Sequence, residues 1–259
     1  MKIFIITQEE PFYLPIGLEK LVSQRKKEIV GATILFRFGK TPLRQVLKKL
    51  LSLYGVKAFF IQTAEFILFK LLDTLSLLIK LKRFYSARRI FNFFSIPIIP
   101  TNNINDKNYL KKIAQSKPEI IISFGCPQVF KKEILSLTPL GCINVHGSLL
   151  PKYRGKNIGF WVLLNQEKET GVTVHYMNEK IDAGEIILQK KIKIHSQETI
   201  HSLYKKIISE ESQALIEALK LIDKGSVKTK KIDVKNKDYF SDPSMTDIKF
   251  FRKMGKKFR

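Results

Sequence analysis

The chain has 259 residues, 44% of them apolar, enough for one large domain or for a domain with a small appendage. Lysine and arginine number 46 against 23 acidic residues, and the net charge of +23 favours anionic partners: nucleic acid, an acidic membrane surface or phosphorylated small molecules. The lysines run along the whole chain, so a solvated basic surface accounts for the charge equally well. The two cysteines, Cys126 and Cys142, have no metal-ligand spacing and do not suggest a disulfide scaffold, which points to a reduced, cytoplasmic setting.

The first residues, 2–7, form a short apolar run that predicts the first strand of a parallel sheet and is too short for a signal-peptide core. The loop that follows, Gln8-Glu9-Glu10-Pro11-Phe12-Tyr13-Leu14-Pro15, has no glycine, so the usual dinucleotide fingerprint is missing. Residues 16–27 read as a helix and 29–36 as a second strand. Residues 42–92 are long and helical, with leucine and phenylalanine every three or four positions and lysines between them. They read first as packed helices covering the sheet, with a basic membrane-resting surface or a wall of a binding pocket as the alternative. The apolar stretch 59–79 is broken by Glu65, Lys70 and Asp73 and falls short of a membrane span.

Residues 95–100 predict a short strand, 105–116 a helix, 118–124 a buried strand ended by Gly125-Cys126-Pro127, and 129–137 a short helix. The strand 141–145 then leads into Asn144-Val145-His146-Gly147. Residues i and i+2 of a strand share a face, so Asn144 and His146 project together from a strand end. That is a usual place for an active site in an open α/β sheet. A helix at 160–164, strands at 171–177 and 185–194, and an amphipathic helix at 199–224 follow. Leu203, Ile207, Ala214, Leu215, Ala218 and Leu219 fit one face of that helix. The alternation of strands and helices predicts a doubly wound, mostly parallel sheet. Residues 1–224 are expected to form this domain, with the helical insertion at about 42–92. Residues 225–259 are expected to be a basic tail with one short helix, capped by Ser244 and ended by Gly255.

The stretch Asn144-Val145-His146-Gly147-Ser148-Leu149-Leu150-Pro151-Lys152-Tyr153-Arg154-Gly155 resembles the signature of the folate-dependent formyltransferases. Further matches to that family are Glu169-Thr170-Gly171-Val172-Thr173-Val174-His175, then Ile181-Asp182-Ala183-Gly184, then Gln189. The resemblance covers about residues 118–200, and its wording is closest to the branch acting in the lipid A aminoarabinose pathway. It implies a Rossmann-like formyltransferase fold and transfer of a formyl group from 10-formyltetrahydrofolate to a primary amine, with no metal. Asn144 and His146 would stabilise the oxygen that turns anionic, and Asp182 would hold His146 and assist proton transfer.

The resemblance also implies cofactor contacts from Gln128, Val129 and Phe130, from Ser148, Leu149, Leu150 and Pro151, and from Asn178, Glu179, Lys180 and Ile181. Lys152, Tyr153, Arg154 and Lys156 would hold a phosphorylated acceptor. Lys156 replaces an arginine of the aminoarabinose branch, and Asn157-Ile158-Gly159 departs from the Ala-Pro common in the family. His175, His195 and His201 lack such company and read as structural or surface residues.

The favoured acceptor is an amino sugar on a nucleotide or lipid carrier. Glycinamide ribonucleotide is an alternative. Initiator methionyl-tRNA is disfavoured, because the residues after Ile194 offer no run of alternating strands for the second domain of the tRNA enzymes. Another class of reading is a non-catalytic protein on the same fold, binding nucleic acid or membrane through the basic, aromatic stretch 249–259. Nothing in the sequence sets an oligomeric state.

Overall fold

The computed structural model describes residues 1–36, 42–79 and 83–259. Part of the expected helical stretch, residues 80–82, therefore lies outside the described residues.

Six strands form one sheet: β1 (Ile3–Glu9), β2 (Ile29–Phe36), β3 (Ile120–Phe124), β4 (Cys142–His146), β6 (Glu169–Tyr176) and β7 (Ile186–Lys193). Their order is β2-β1-β3-β4-β6-β7. The first three pairings are parallel, and β6 and β7 then join antiparallel. The expected mostly parallel α/β sheet is what the chain forms. Strand alternation explains the unbroken apolar run of β1. Ile3 and Ile5 belong to one core and Phe4 and Ile6 to the other, because both faces are covered.

One face is covered by α1 (Leu14–Arg25), α4 (Ala87–Phe93) and α8 (Ile200–Asp223), and the other by α5 (Lys107–Gln115). The predicted face of α8 is the buried one: Leu203, Ile207, Ala214, Leu215, Ala218 and Leu219 are all at most 1% exposed. Its four large residues together gain roughly 6–12 kcal/mol of transfer free energy before ordering costs. Capping places the helix ends. Asp106 accepts from Tyr109 N–H, and Thr199 with Ser202 forms a capping box. Glu10 accepts the N–H groups of Phe12, Tyr13 and Leu14 at 2.9–3.0 Å. That carboxylate occupies the donors at the start of α1, the place where a dinucleotide site would hold its phosphates.

Three expectations are corrected. The helix expected over 129–137 is only one turn, α6 (Lys132–Leu135). The strand expected at 95–100 reduces to a single bridge from Ile98 to Ala32. Helices α2 (Leu43–Tyr54) and α3 (Val56–Leu75) do not cover the sheet, because Val46 and Gln62 are their only buried residues. Their apolar residues repeat on more than one face, so the periodicity alone did not say which face turns inward.

The tail folds back onto the body. β8 (Tyr239–Phe240) pairs in parallel with the two-residue β5 (Arg154–Gly155). The helix α9 (Met245–Lys253) starts at a Ser244–Asp247 capping box, with Gly255 at φ +71° just beyond it. Its Phe251 stacks on Phe160 of α7 (Ile158–Leu164), with ring centroids 4.7 Å apart.

Candidate active site

The C-terminal ends of β1, β3 and β4 open onto one cavity of about 830 Å³, within the range of a small-molecule site. Gln8, Ser123, Asn144 and His146 line it from the sheet. This is the crevice beside the point where the order of parallel strands reverses, between β1 and β3. α2 closes one side with Lys48, Lys49 and Tyr54, α8 another with Tyr204 and Glu211, and the folded-back tail a third with Tyr239 and Met245.

Asn144, His146 and Asp182 meet in this cavity. Asp182 Oδ2 lies 3.7 Å from His146 Nδ1, and Asn144 Nδ2 lies 3.5 Å from Asp182 Oδ1. His146 Nε2 is 2.8 Å from the Tyr153 carbonyl, so that nitrogen carries a proton and donates. The working nitrogen is then Nδ1, which faces the carboxylate. Gly155 N–H donates to Asp182 Oδ2 at 2.9 Å. Asp182 itself sits at φ +48°, at the tip of a tight turn. That turn can lie against β6 only because Gly184 has no side chain: a Cβ there would stand 1.7 Å from the Tyr176 carbonyl oxygen.

A second imidazole joins the group. His175 of β6 pairs across the sheet with Asn144. Its Nδ1 lies 2.7 Å from the Tyr176 carbonyl and so carries the proton. Its Nε2 is left to accept from Asn144 Nδ2 at 3.2 Å. Burial is the main cause that lowers the pKa of His175, so the ring is neutral and the bond pattern holds at neutral pH. Sequence reasoning treated His175 as structural, and the signal it lacked was the antiparallel register.

Several expected contact residues hold the site together instead of facing it. Arg154 is buried, and its Nε and Nη2 both donate to the Ile181 carbonyl, at 2.9 and 2.6 Å. It anchors the Asp182 turn and is not presented to the cavity for a phosphate. Tyr153 stacks on Phe240, and its hydroxyl donates to Glu167. Ser148, Leu149, Leu150 and Pro151 do not line the cavity. Ser148 Oγ donates to the Lys152 carbonyl, Thr173 Oγ1 to the Ser148 carbonyl, and Gln189 Nε2 to the Leu150 carbonyl. The loop is thus fastened to β6 and β7. Lys152 and Glu179 are exposed and also outside the lining.

Gln128, Val129, Phe130, Lys156, Asn178, Lys180 and Ile181 do line the cavity. The Gln128 amide is spent on Ile104 N–H and the Asn102 carbonyl, and its backbone carbonyl accepts from Cys126 Sγ at 3.5 Å. His195 is exposed, whereas His201 is half-buried beside the Tyr13 hydroxyl, at 2.7 Å. Burial first, and then Arg259, pull the pKa of His201 down to about 4.

Two further groups lacked a sequence signal. Gln8 Oε1 is buried with no hydrogen-bond partner among the described residues. Glu211 is only 9% exposed, and burial pushes its carboxyl up to about 8. A Cβ at Gly147 would stand 2.8 Å from Ile207 Cγ2 and 3.1 Å from Glu211 Oε1, a close approach that suits the glycine after His146. No cluster of metal-ligating side chains occurs among the described residues. Cys126 and Cys142 are both free, with thiols pushed up to about 12 by burial.

Residues 17–219 match the protein family described as formyl transferase, and the chain belongs to it. It is 43% identical over 132 residues to the bifunctional polymyxin resistance protein ArnA of Wigglesworthia glossinidia brevipalpis, covering 51% of this chain and 20% of that protein. It is 38% identical over 147 residues to the methionyl-tRNA formyltransferase of Clostridioides difficile (strain 630), covering 57% of this chain and 47% of that one. The matches thus span less than half the length of either relative. Among solved structures, the N-formyltransferase from Helicobacter canadensis, in complex with folinic acid and dTDP-3-aminofucose, superposes with a TM-score of 0.59 at 20% identity, covering 93% of this chain and 71% of that one.

Proposed function

We propose that this protein transfers a formyl group from 10-formyltetrahydrofolate to the primary amine of an amino sugar carried on a nucleotide or a lipid. The observation that carries the reading is the convergence of Asn144, His146 and Asp182 at one end of the cavity. The donor supplies a formyl carbonyl whose oxygen gains negative charge as an amine nitrogen attacks. Asn144 has one amide hydrogen engaged by His175 and a second held only loosely, at 3.5 Å, by Asp182. That second hydrogen can turn to a developing oxyanion, and a donor preset in this way acts without reorganisation. His146 presents Nδ1 beside Asp182, so the pair can take the proton that the attacking amine must lose and return it to N10 as the bond from N10 to the formyl carbon breaks, releasing tetrahydrofolate.

The cavity suits the donor and acceptor together. Its size fits small ligands, and Gln8 Oε1 is a buried acceptor to which none of the described residues donates. Backbone groups of Gln128, Val129 and Phe130 and of the 178–181 turn would hold the flat pterin. Lys48 and Lys156 on the lining give a phosphorylated acceptor its counter-charge. A cytoplasmic setting accords with a nucleotide-linked substrate.

The test is formyl transfer followed by mass spectrometry. Purified protein is given 10-formyltetrahydrofolate with nucleotide-linked amino sugars, glycinamide ribonucleotide and methionyl-tRNA, beside a His146→Ala variant. Gain of one carbon monoxide on an amino sugar, lost in the variant, is the expected result. Gain only on glycinamide ribonucleotide or methionyl-tRNA would replace the acceptor. No gain on any acceptor, with no rise in melting temperature on adding folate, would sink the reading.

A further inference from the structure

The helices α2 and α3 carry an inverted pattern. Of the 23 large apolar residues that the described chain exposes, 14 lie between Leu43 and Ile79. On α3 the outward stripe is Val56, Phe60, Ile67, Leu71 and Leu75, at helical spacing and 42–65% exposed. The polar residues of this helix turn the other way. Gln62 is buried, Glu65 pairs with Arg259, and Asp73 accepts from Ser86 Oγ at 2.9 Å. On α2, Leu43, Leu47 and Leu51 repeat every fourth residue and are 40–71% exposed.

Charge settles what such a face can meet. α2 contains no acidic residue, and both acids of α3 are engaged by the body. The exposed cations Arg44, Lys57 and Lys70 stand among the apolar stripes. A second copy of a chain with net charge +23 would bring like charges together at this face. An anionic bilayer offers an apolar interior for the leucines and phenylalanines and phosphate headgroups for the lysines. Among the described residues no helix is long and apolar enough to cross a membrane, so the pair would lie in the interface.

We infer that α2 and α3 form a lipid-docking surface that seats this protein on anionic membranes. The inference stands apart from the proposed reaction, because it concerns an outer surface and can hold or fail without it. If both hold, α2 would carry the cavity wall on one side and the membrane contact on the other.

Vesicle flotation of the full chain tests it, with phosphatidylcholine alone and phosphatidylcholine mixed with phosphatidylglycerol. The wild type is expected to float with the anionic vesicles at least about tenfold better than with the neutral ones. Phe60→Glu, Ile67→Glu and Leu71→Glu combined should cut that binding by about tenfold or more, since these side chains are to enter the apolar layer. Arg44→Gln, Lys57→Gln and Lys70→Gln combined should remove the preference for anionic lipid. Circular dichroism and the melting temperature check that both variants fold, which the exposure of these residues favours. Three results would overturn the inference. One is no association with either vesicle. Another is binding that survives the glutamate substitutions, which would make it a general effect of net charge. The third is wild-type self-association abolished by the same substitutions, which would assign the face to a second copy.

Discussion

Asn144 Nδ2 donates to Nε2 of His175 at 3.2 Å, across the antiparallel pairing of β4 and β6. The bond fixes which end of the Asn144 amide faces inward, and the Tyr176 carbonyl fixes the His175 tautomer in turn. His175 is thus a positioning residue for the proposed oxyanion donor. Asn144→Ala is expected to lower kcat by roughly 100- to 1000-fold, the usual loss for one oxyanion donor. His175→Ala should lower kcat by about 10- to 100-fold with little change in KM. In the double variant the second loss should nearly vanish, because His175 acts only by orienting the Asn144 amide. Additive losses would show that His175 acts by another route.

Arg154 separates a scaffolding role from a phosphate-binding one. Its two donors hold the Ile181 carbonyl beside Asp182. Arg154→Ala should therefore lower kcat, by roughly tenfold or more, and leave the acceptor KM within a few-fold. Arg154→Lys should not rescue it, since an ammonium cannot offer two nitrogens to one carbonyl in that fork. A rise in KM with unchanged kcat would restore the phosphate contact implied by the family resemblance.

Glu211 predicts the pH dependence of stability. Its folded pKa stands at about 8 against an ordinary 4.5, so the native state holds a proton that the unfolded chain releases. Stability from this group is then fullest below about 4.5 and falls as pH rises toward 8. The loss is on the order of 3–5 kcal/mol if the carboxyl stays dry. Glu211→Gln keeps the shape and removes the titration. Its melting temperature should match the wild type at about pH 4.5 and exceed it at about pH 8.5. Parallel melting curves across that window would show that water reaches the carboxyl.

The strands were readable because burial on both faces leaves unbroken apolar runs such as Ile3 to Ile6, and the caps because Asp106, Thr199 and Ser244 bond locally. Strand alternation put Asn144 and His146 on one face, and the family resemblance implied their roles. His175 was not, because its relation to Asn144 depends on which strand pairs with which and in what register. The contacts of Tyr153 and Arg154 were not legible for a similar reason. A basic, aromatic loop looks the same whether its side chains face a ligand or the Ile181 carbonyl and the Phe240 ring. The α2–α3 pair defeated periodicity, since a helix with leucines on several faces does not say which is buried.

The tail offers the remaining test, because composition makes it look dispensable. Residues Tyr239 and Phe240 pair with Arg154 and Gly155, the strand that hands Gly155 N–H to Asp182. A Cβ on Gly155 would stand 2.2 Å from the Phe240 carbonyl oxygen, so the two backbones are in direct contact. Phe251 is 4% exposed and stacks on Phe160. Phe251→Ala is expected to cost about 3 kcal/mol or more and to lower the melting temperature by roughly 6–12 °C. Because the tail also lines the cavity, folate-induced stabilisation should weaken in the same variant. A loose appendage predicts neither effect. Thermal shifts with and without folate decide between the two, and a variant that melts and responds like the wild type would return residues 225–259 to the status of a tail.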